Sequence, residues 1–338
     1  MHVTLLFNQI SNTPTAEELD VLLQCDAVEA ALSRLGHRVS RIPFVLDLSQ
    51  VQQALRAGHP DVVFNLVESV DSTDRLMPLA TLLVESMGLP FTGTGSYGII
   101  STSGKLIAKQ KLLNSGLPTP AWISESTGRW QGSCPDRAII KTVWEHASFG
   151  IDESSVVDCF TQLSGQPPVA RDAWLIEQLR IRERSTRKEH FAEQYIHGRE
   201  FNVTLIAGSA GVQAMPPAEI LFIDYPPDKP HIVDYRAKWT EDSLEYQNTP
   251  RSFQFSPEEL PLIDQMKQMA VFCWNRFRLR GWARVDFRVD KAGRPWILEI
   301  NANPCLAPDA GFAAAILKGG LAYEEAINLI LKDAFHNR

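Results

Sequence analysis

No apolar run in the 338-residue chain approaches the ~20 residues that a membrane helix needs. Basic excess is also missing: 33 Lys+Arg against 40 Asp+Glu leave a net charge of −7. A general nucleic-acid binder is therefore not expected, because phosphate binding needs a basic face; a local basic groove is allowed. Cysteine is sparse. The five residues Cys25, Cys134, Cys159, Cys273 and Cys305 include no CxxC pair. Neither a zinc site nor a disulfide framework is expected, and reduced thiols in the cytoplasm are the default. The stretch Met1–Phe7 is too short and lacks the basic start of a signal peptide, and reads as a first strand. There is no internal repeat or low-complexity tract. What remains is ordinary globular composition, 44% hydrophobic and 22% charged, long enough for two or three subdomains.

Hydrophobic spacing alternates strands with helices over residues 1–92. Residues 3–7, Arg38–Phe44 and Pro60–Asn65 read as strands, and residues 18–35, Ser49–Ala57 and 75–87 as helices, the first stopped by Gly36. That order predicts a small parallel α/β unit. After the Gly-rich connection Thr92–Ser96, Lys105–Ser115 is a predicted helix and Ala138–Lys141 a short strand. Trp174–Gln178 and His190–Tyr195 read as β or edge segments around a basic run, Arg180–Lys188, itself a surface loop or helix face. Phe201–Ala207 and Gly211–Met215 form a predicted hairpin. Residues 216–256, rich in Pro, Asp and Tyr, are an ordered functional loop. Ser256, Pro257 and Glu259 cap a helix to Arg278. Two strands follow, Ala283–Val289 and Trp296–Ile300, and then a helical region at about 311–334.

The last two strands carry chemistry. Residues two apart in a strand share a face, so Arg284 lies beside Asp286, and Glu299 beside Asn301. The turn Asp290–Gly293 sets the strands side by side. Two carboxylates, an amide oxygen and a guanidinium then share one patch. Such oxygens are the hard ligands Mg²⁺ prefers, and the Arg suits a phosphate or a developing oxyanion. The plainer alternative is a sheet face with an Arg284–Glu299 ion pair. Lys141 ends a strand before the loop Thr142–Gly150, and Lys105 opens a helix; each is placed to meet phosphates or is simply a surface charge.

Six collinear segments resemble the D-alanine–D-alanine ligase family of the ATP-grasp superfamily. They are Met87–Gly95, Gly104–Pro120, Ile139–Lys141, Glu193–Phe201, Tyr235–Lys238 and Gly281–Asn301. The resemblance implies a fold of class α/β and α+β. An N-terminal Rossmann-like parallel α/β subdomain (1–92) would precede two α+β ATP-grasp subdomains (93–196 and 197–338), with a mobile loop at about 224–250. It implies ATP with two Mg²⁺ ions, Mn²⁺ being an acceptable substitute. Lys105 and Lys141 would contact phosphates. Glu193 would accept from the adenine amino group, with backbone at Tyr195 and Ile196 completing the base site. Glu200 would bind ribose and Lys238 the terminal phosphate. Asp286, Glu299 and Asn301 would hold metal, Glu299 bridging. Arg284 would stabilise acyl-phosphate and tetrahedral species, and Ser148 would belong to the phosphate cover. The implied reaction joins a carboxylate to an amine through an acyl phosphate, with amino-acid-like donor and acceptor, in a cytoplasmic homodimer without nucleic-acid or membrane partners.

Departures cluster at the amino-acid pockets. The family's GGxSxE signature is missing from Phe7–Thr15, where Glu17 or Glu18 is a poor substitute. HGxxGEDG becomes Asn65–Ser72, EGSSVG becomes Glu145–Gly150 with Ala147 for a serine, and the tyrosine after Lys238 becomes Trp239. NTSPGMTxxS becomes Asn301–Gly311, with Cys305 for a glycine and no acceptor-binding serine. A pocket built for one zwitterion loses much affinity with one polar partner gone. A ligase for another amino-acid-like pair is the expectation. A genuine D-alanine–D-alanine ligase and a non-catalytic nucleotide binder are the alternatives. Cys305 reads as a small residue near the site rather than a nucleophile, and Asp309 as a helix cap rather than a substrate contact. His146 is left between phosphate contact and ordinary loop residue, and Trp144 and Trp239 between pocket wall and core.

Overall fold

The structure, a computed structural model, describes residues 1–11, 14–159 and 168–335. In the first unit β1 (His2–Asn8), β2 (Arg38–Phe44) and β3 (Val62–Leu66) form a parallel sheet in the order β2-β1-β3. Val3, Leu5, Leu6 and Val62–Phe64 are buried without alternation, as strands covered on both faces require. Helices α1 (Ala16–Arg34), α2 (Leu48–Gly58) and α3 (Pro78–Ser86) supply the cover. A capping box starts α1: Thr15 accepts from the Glu18 amide while Glu18 reaches back to the Thr15 amide.

The second unit begins with α4 (Ser96–Ser103) and α5 (Lys105–Asn114). Its antiparallel sheet, in the order β4-β7-β5-β6, consists of β4 (Trp122–Ser124), β5 (Arg137–Thr142), β6 (Val156–Asp158) and β7 (His190–Gln194). Trp174–Gln178 is not a strand. It lies inside α6 (Pro168–Thr186), where Leu175 and Leu179 are one helical turn apart and pack on Ile123, Ala138, Ile140 and Ala192. The apolar residues of that stretch serve helix packing, and the basic run begins on the same helix.

The third unit is a six-stranded antiparallel sheet. Its strands are β8 (Gly198–Gly208), β9 (Gly211–Ala214), β10 (Ala218–Ile220), β11 (Arg251–Ser252), β12 (Trp282–Asp290) and β13 (Pro295–Asn301). The short helices α7 (Tyr235–Trp239) and α8 (Leu244–Gln247) lie between β10 and β11, and α9 (Leu260–Phe277) precedes β12. Alternation, broken in β13 by a bulge between Ile297 and Glu299, makes the sheet two-faced. Phe201, Val203, Leu205, Val285, Phe287 and Ile297 bury one face against Met266, Ala270, Cys273 and Phe277 of α9. The other face carries the polar residues of the site. The C-terminal region is two helices, α10 (Gly311–Lys318) and α11 (Tyr323–Asp333), parted at Gly319-Gly320.

One core spans the first and third units: Val28 and Leu32 of α1 pack with Phe312, Ile316, Ile327 and Ile330 of α10 and α11, and with Trp282. The Gly-rich connection joins it at the start of β12. A Cβ on Gly281, which has φ +65°, would stand 2.9 Å from the Gly93 backbone, so neither glycine tolerates a side chain there. Among the described residues no helix is long and apolar enough to cross a membrane.

Candidate active site

Strand register assembles the polar face. Arg284 pairs with Asn301 and Asp286 with Glu299 across β12 and β13, with a bulge after Asp286. Across β8 and β12, Asp286 faces Asn202 and Arg288 faces Glu200. The Arg284–Glu299 ion pair of the plainer alternative is not formed. Arg284 instead makes a two-pronged contact with Asp286, Nε to Oδ1 at 2.7 Å and Nη2 to Oδ2 at 2.8 Å, because same-face neighbours on one strand are closer. Asn202 adds a third bond to Asp286 Oδ1 at 2.8 Å. Glu299 meets His146 Nδ1. Burial opposes the Glu299 charge, but Lys105, His146 and Lys238 outweigh it and hold its pKa well below the usual carboxylate range. Burial and the Arg284 charge lower the Lys238 pKa against the pull of Glu299, Asp286 and Glu200.

The second unit presents the lysines. Lys105, at the first turn of α5, is buried and donates to the Glu145 carbonyl. Lys141 and Glu193 lie on one face of adjacent strands, Nζ to Oε1 at 2.5 Å. The other Glu193 oxygen lies 2.7 Å from Lys109 Nζ. Burial would raise the Glu193 pKa, yet the two lysines lower it. At the turn out of β7, Tyr195 spends its N–H on the Arg137 carbonyl at 3.0 Å. Tyr195 packs with Ile139 and Ile232, and Ile196 is buried beside it. Glu200 is paired with Arg288 at 2.9 Å, and Arg288 also holds the Gly198 and His231 carbonyls.

The loop after β5 locks the units together. Asp74 accepts from the His146 amide at 2.6 Å, and Glu145 accepts from Thr73 at 2.8 Å and Lys188 at 2.6 Å. Ala147 and Ser148 both take left-handed backbone conformations, φ 56° and 62°, which ordinary residues adopt only under constraint. Their partners lie in the segment before and within α7: Ser148 Oγ donates to the Val233 carbonyl at 2.7 Å, and Trp239 Nε1 to the Ala147 carbonyl at 3.3 Å. Ser148 thus faces the expected lid. Trp144 donates to Glu189 at 3.1 Å and carries the Arg75 guanidinium over its ring.

Known proteins resemble this chain in sequence and in fold. The family model described as D-ala D-ala ligase C-terminus matches residues 177–332. A D-alanine–D-alanine ligase of Bordetella avium is 28% identical over 74% of this chain and 72% of its own length. An uncharacterised protein, y4sG, of Sinorhizobium fredii is 27% identical over 93% of this chain and 87% of its own. The crystal structure of a D-alanine–D-alanine ligase from Bacillus anthracis complexed with ATP superposes with a TM-score of 0.70 at 16% identity, covering 99% of this chain and 97% of that one. The chain has the fold of the D-alanine–D-alanine ligases, and its residues 177–332 match their C-terminal family model.

The segment after Asn301 forms a rim against the first unit. Asn301 Oδ1 accepts from the Asn303 amide at 2.9 Å, and Asn303 donates to the Val67 carbonyl at 3.0 Å. The Cys305 thiol donates to Asp20 at 3.1 Å, and burial raises its pKa. Gln24 ties the Leu306 amide to Glu68, at 2.7 and 2.9 Å. Burial, with Asp20 and Asp74 nearby, pushes the Glu68 carboxyl up to about 8 against the opposing Gln24 bond and Arg284 charge. Burial likewise raises Asp20 and Asp74. Asp309 does not cap α10: the cap position is Ala310, without a side-chain bond, and the Asp309 carbonyl accepts from Arg251 at 3.0 Å. Glu18 is committed to Ser11 and Thr15 at the α1 cap, and the Glu17 side chain lies outside the described part of the chain. Asn202, Arg288, Lys109, Asp20 and Gln24 went unread in the sequence. The first two sit at two-residue spacing in strands already recognised and were within reach of that rule. The others needed the tertiary fold.

Proposed function

We propose that the protein is an ATP-dependent carboxylate–amine ligase joining two amino-acid-like substrates through an acyl phosphate, with release of ADP and phosphate. The observation that carries this reading is the polar sheet face, where Arg284, Asp286, Glu299 and Asn301 meet Lys105, Lys238 and His146. Among the described residues no three His, Cys, Asp or Glu side chains group as a metal site, so the fit rests on two carboxylates and the Asn301 amide oxygen. That all-oxygen set suits Mg²⁺ or Mn²⁺, and the surrounding cations now balance its charge. Asp286, Glu299 and Asn301 would hold two ions, with Arg284 releasing Asp286. Bound metal supplies charge neutralisation at the phosphates.

Lys105 and Lys141 bind phosphate oxygens. Glu193 and backbone at Tyr195 and Ile196 hold the base, and Glu200 the ribose. Lys238 reaches the terminal phosphate from a lid at about 224–250, which the Ser148–Val233 and Trp239–Ala147 bonds close over the loop. A donor carboxylate oxygen attacks the γ-phosphorus and the bond to ADP breaks. The acceptor amine then attacks the acyl carbon, phosphate leaves, and the amine loses its proton. Arg284 faces the oxyanion of that second step, and the closed lid keeps water from the acyl phosphate. The boundaries near residues 92 and 196, the homodimer and the cytoplasmic setting belong to the same proposal.

The donor–acceptor pair is proposed to differ from two D-alanines, because Cys305, Val70 and Ala310 stand where the family places glycine, glutamate and serine. Relatives such as the Bordetella enzyme favour the second reading, a D-alanine–D-alanine ligase. Phosphate release measured over a panel of amino acids and amines decides. Turnover with a pair other than D-alanine is expected, and robust turnover with D-alanine alone would overturn it. ATP binding with no ADP formed from any pair would leave a non-catalytic nucleotide binder.

A further inference from the structure

Lys109 has no part in the scheme above, yet its ammonium is among the most enclosed charges in the molecule. It lies one helical turn after Lys105 on α5, so both lysines leave the same face of the helix. Lys105 points to the Glu145 carbonyl. Lys109 runs under the second sheet with 1% of its side chain exposed. It forms an ion pair with Glu193 Oε2 at 2.7 Å and donates to Thr119 Oγ1 at 2.9 Å and to the Pro120 carbonyl at 3.0 Å. A lysine that merely filled space would be better replaced by an apolar chain.

The charge count gives it a purpose. Glu193 is 1% exposed and sits between two ammonium groups, with Lys141 on Oε1 at 2.5 Å. Of the three side chains only Lys141 has appreciable exposure, 16%. Without Lys109, Glu193 and Lys141 would form a neutral pair, and Lys141 would offer no net charge to a phosphate. With Lys109 behind it, Glu193 is neutralised from the buried side. We propose that Lys109 is a positioning residue for nucleotide binding: it fixes the Glu193 carboxylate and leaves Lys141 a net cation facing the groove. The proposal rests on the nucleotide reading of the site.

The test is the dissociation constant of Mg·ATP, by calorimetry at several salt concentrations, for the full chain and its variants. Lys109→Met is expected to weaken binding about tenfold or more, the loss of one charge-assisted contact, and to flatten its salt dependence. Lys109→Met with Glu193→Gln is expected to recover most of that loss. The amide no longer neutralises Lys141, and its oxygen still accepts from an amino group. A purely structural lysine predicts the opposite, a double variant as weak as the single one or weaker. Unchanged ATP affinity in Lys109→Met, or no recovery in a folded double variant, overturns the proposal. Should Lys109→Met not fold, the double variant carries the test alone, with binding expected near the unsubstituted level. Absence of ATP binding by the unsubstituted protein would instead overturn the nucleotide reading itself.

Discussion

The sheet floor and the rim beyond Asn301 adjoin, yet they balance charge differently. On the floor each carboxylate has a cation: Asp286 has Arg284, Glu299 has Lys105 and Lys238 nearby, and Glu200 has Arg288. On the rim the acids have weaker partners. Asp20 takes a thiol and Glu68 an amide, and burial pushes both carboxyls toward the protonated form. With phosphates and metal bound, such cations would pass to the phosphates and the carboxylates to the metal. Under-compensated acids await a positive group, and a substrate ammonium is the natural candidate. On the proposed reading the floor serves the reaction and the rim the choice of substrate.

Breaking the floor should cost most. Glu299→Gln is expected to lower kcat roughly 10³-fold, at the upper end for removal of one charge-stabilising group, in a substrate-dependent phosphate-release assay. Arg284→Lys keeps the charge but loses the two-pronged grip on Asp286, and about a 10²-fold loss in kcat is expected. On the rim, Glu68→Gln should raise KM for the amino substrate about tenfold while KM for ATP stays put. Equal changes in both would erase the contrast between the regions.

Glu68 also gives a pH signature. Its carboxyl moves from an ordinary 4.5 to about 8 in the fold. The folded state then holds the extra proton between those values, so its contribution is complete below 4.5 and is lost as pH rises toward 8. Denaturant unfolding of Glu68→Gln should show a flatter stability profile across that window than the unsubstituted protein. The smallest effect is expected from Thr15→Ala. It removes the cap of the helix that carries Asp20 and Gln24 and should cost about 1 kcal/mol in chemical unfolding, with ATP binding unaltered.

The floor was legible because two-residue spacing and one hairpin turn suffice to place Arg284, Asp286, Glu299 and Asn301 together. The same reasoning delimited β2 at Arg38–Phe44 and the capping box at Ser256 and Glu259. It failed where partners are remote in sequence. Asp20 and Cys305 are 285 residues apart, and no local pattern foretells their contact. Trp174–Gln178 was misread because a short apolar stretch has no period of its own, and the long helix around it supplied one.

The core shared by α1, α10, α11 and Trp282 has a mechanical consequence. The first and third units are anchored in one apolar mass, and α4 and α5 add Ile99, Ala108 and Leu112 to the third unit's core, whereas the sheet of the second unit keeps a separate core around Ile140 and Leu179. That sheet carries Lys141 and Glu193, while Lys105 stands on a helix built into the larger block. Freeing the sheet would mean breaking its polar ties to the rest, of which Ser148 to Val233 is one.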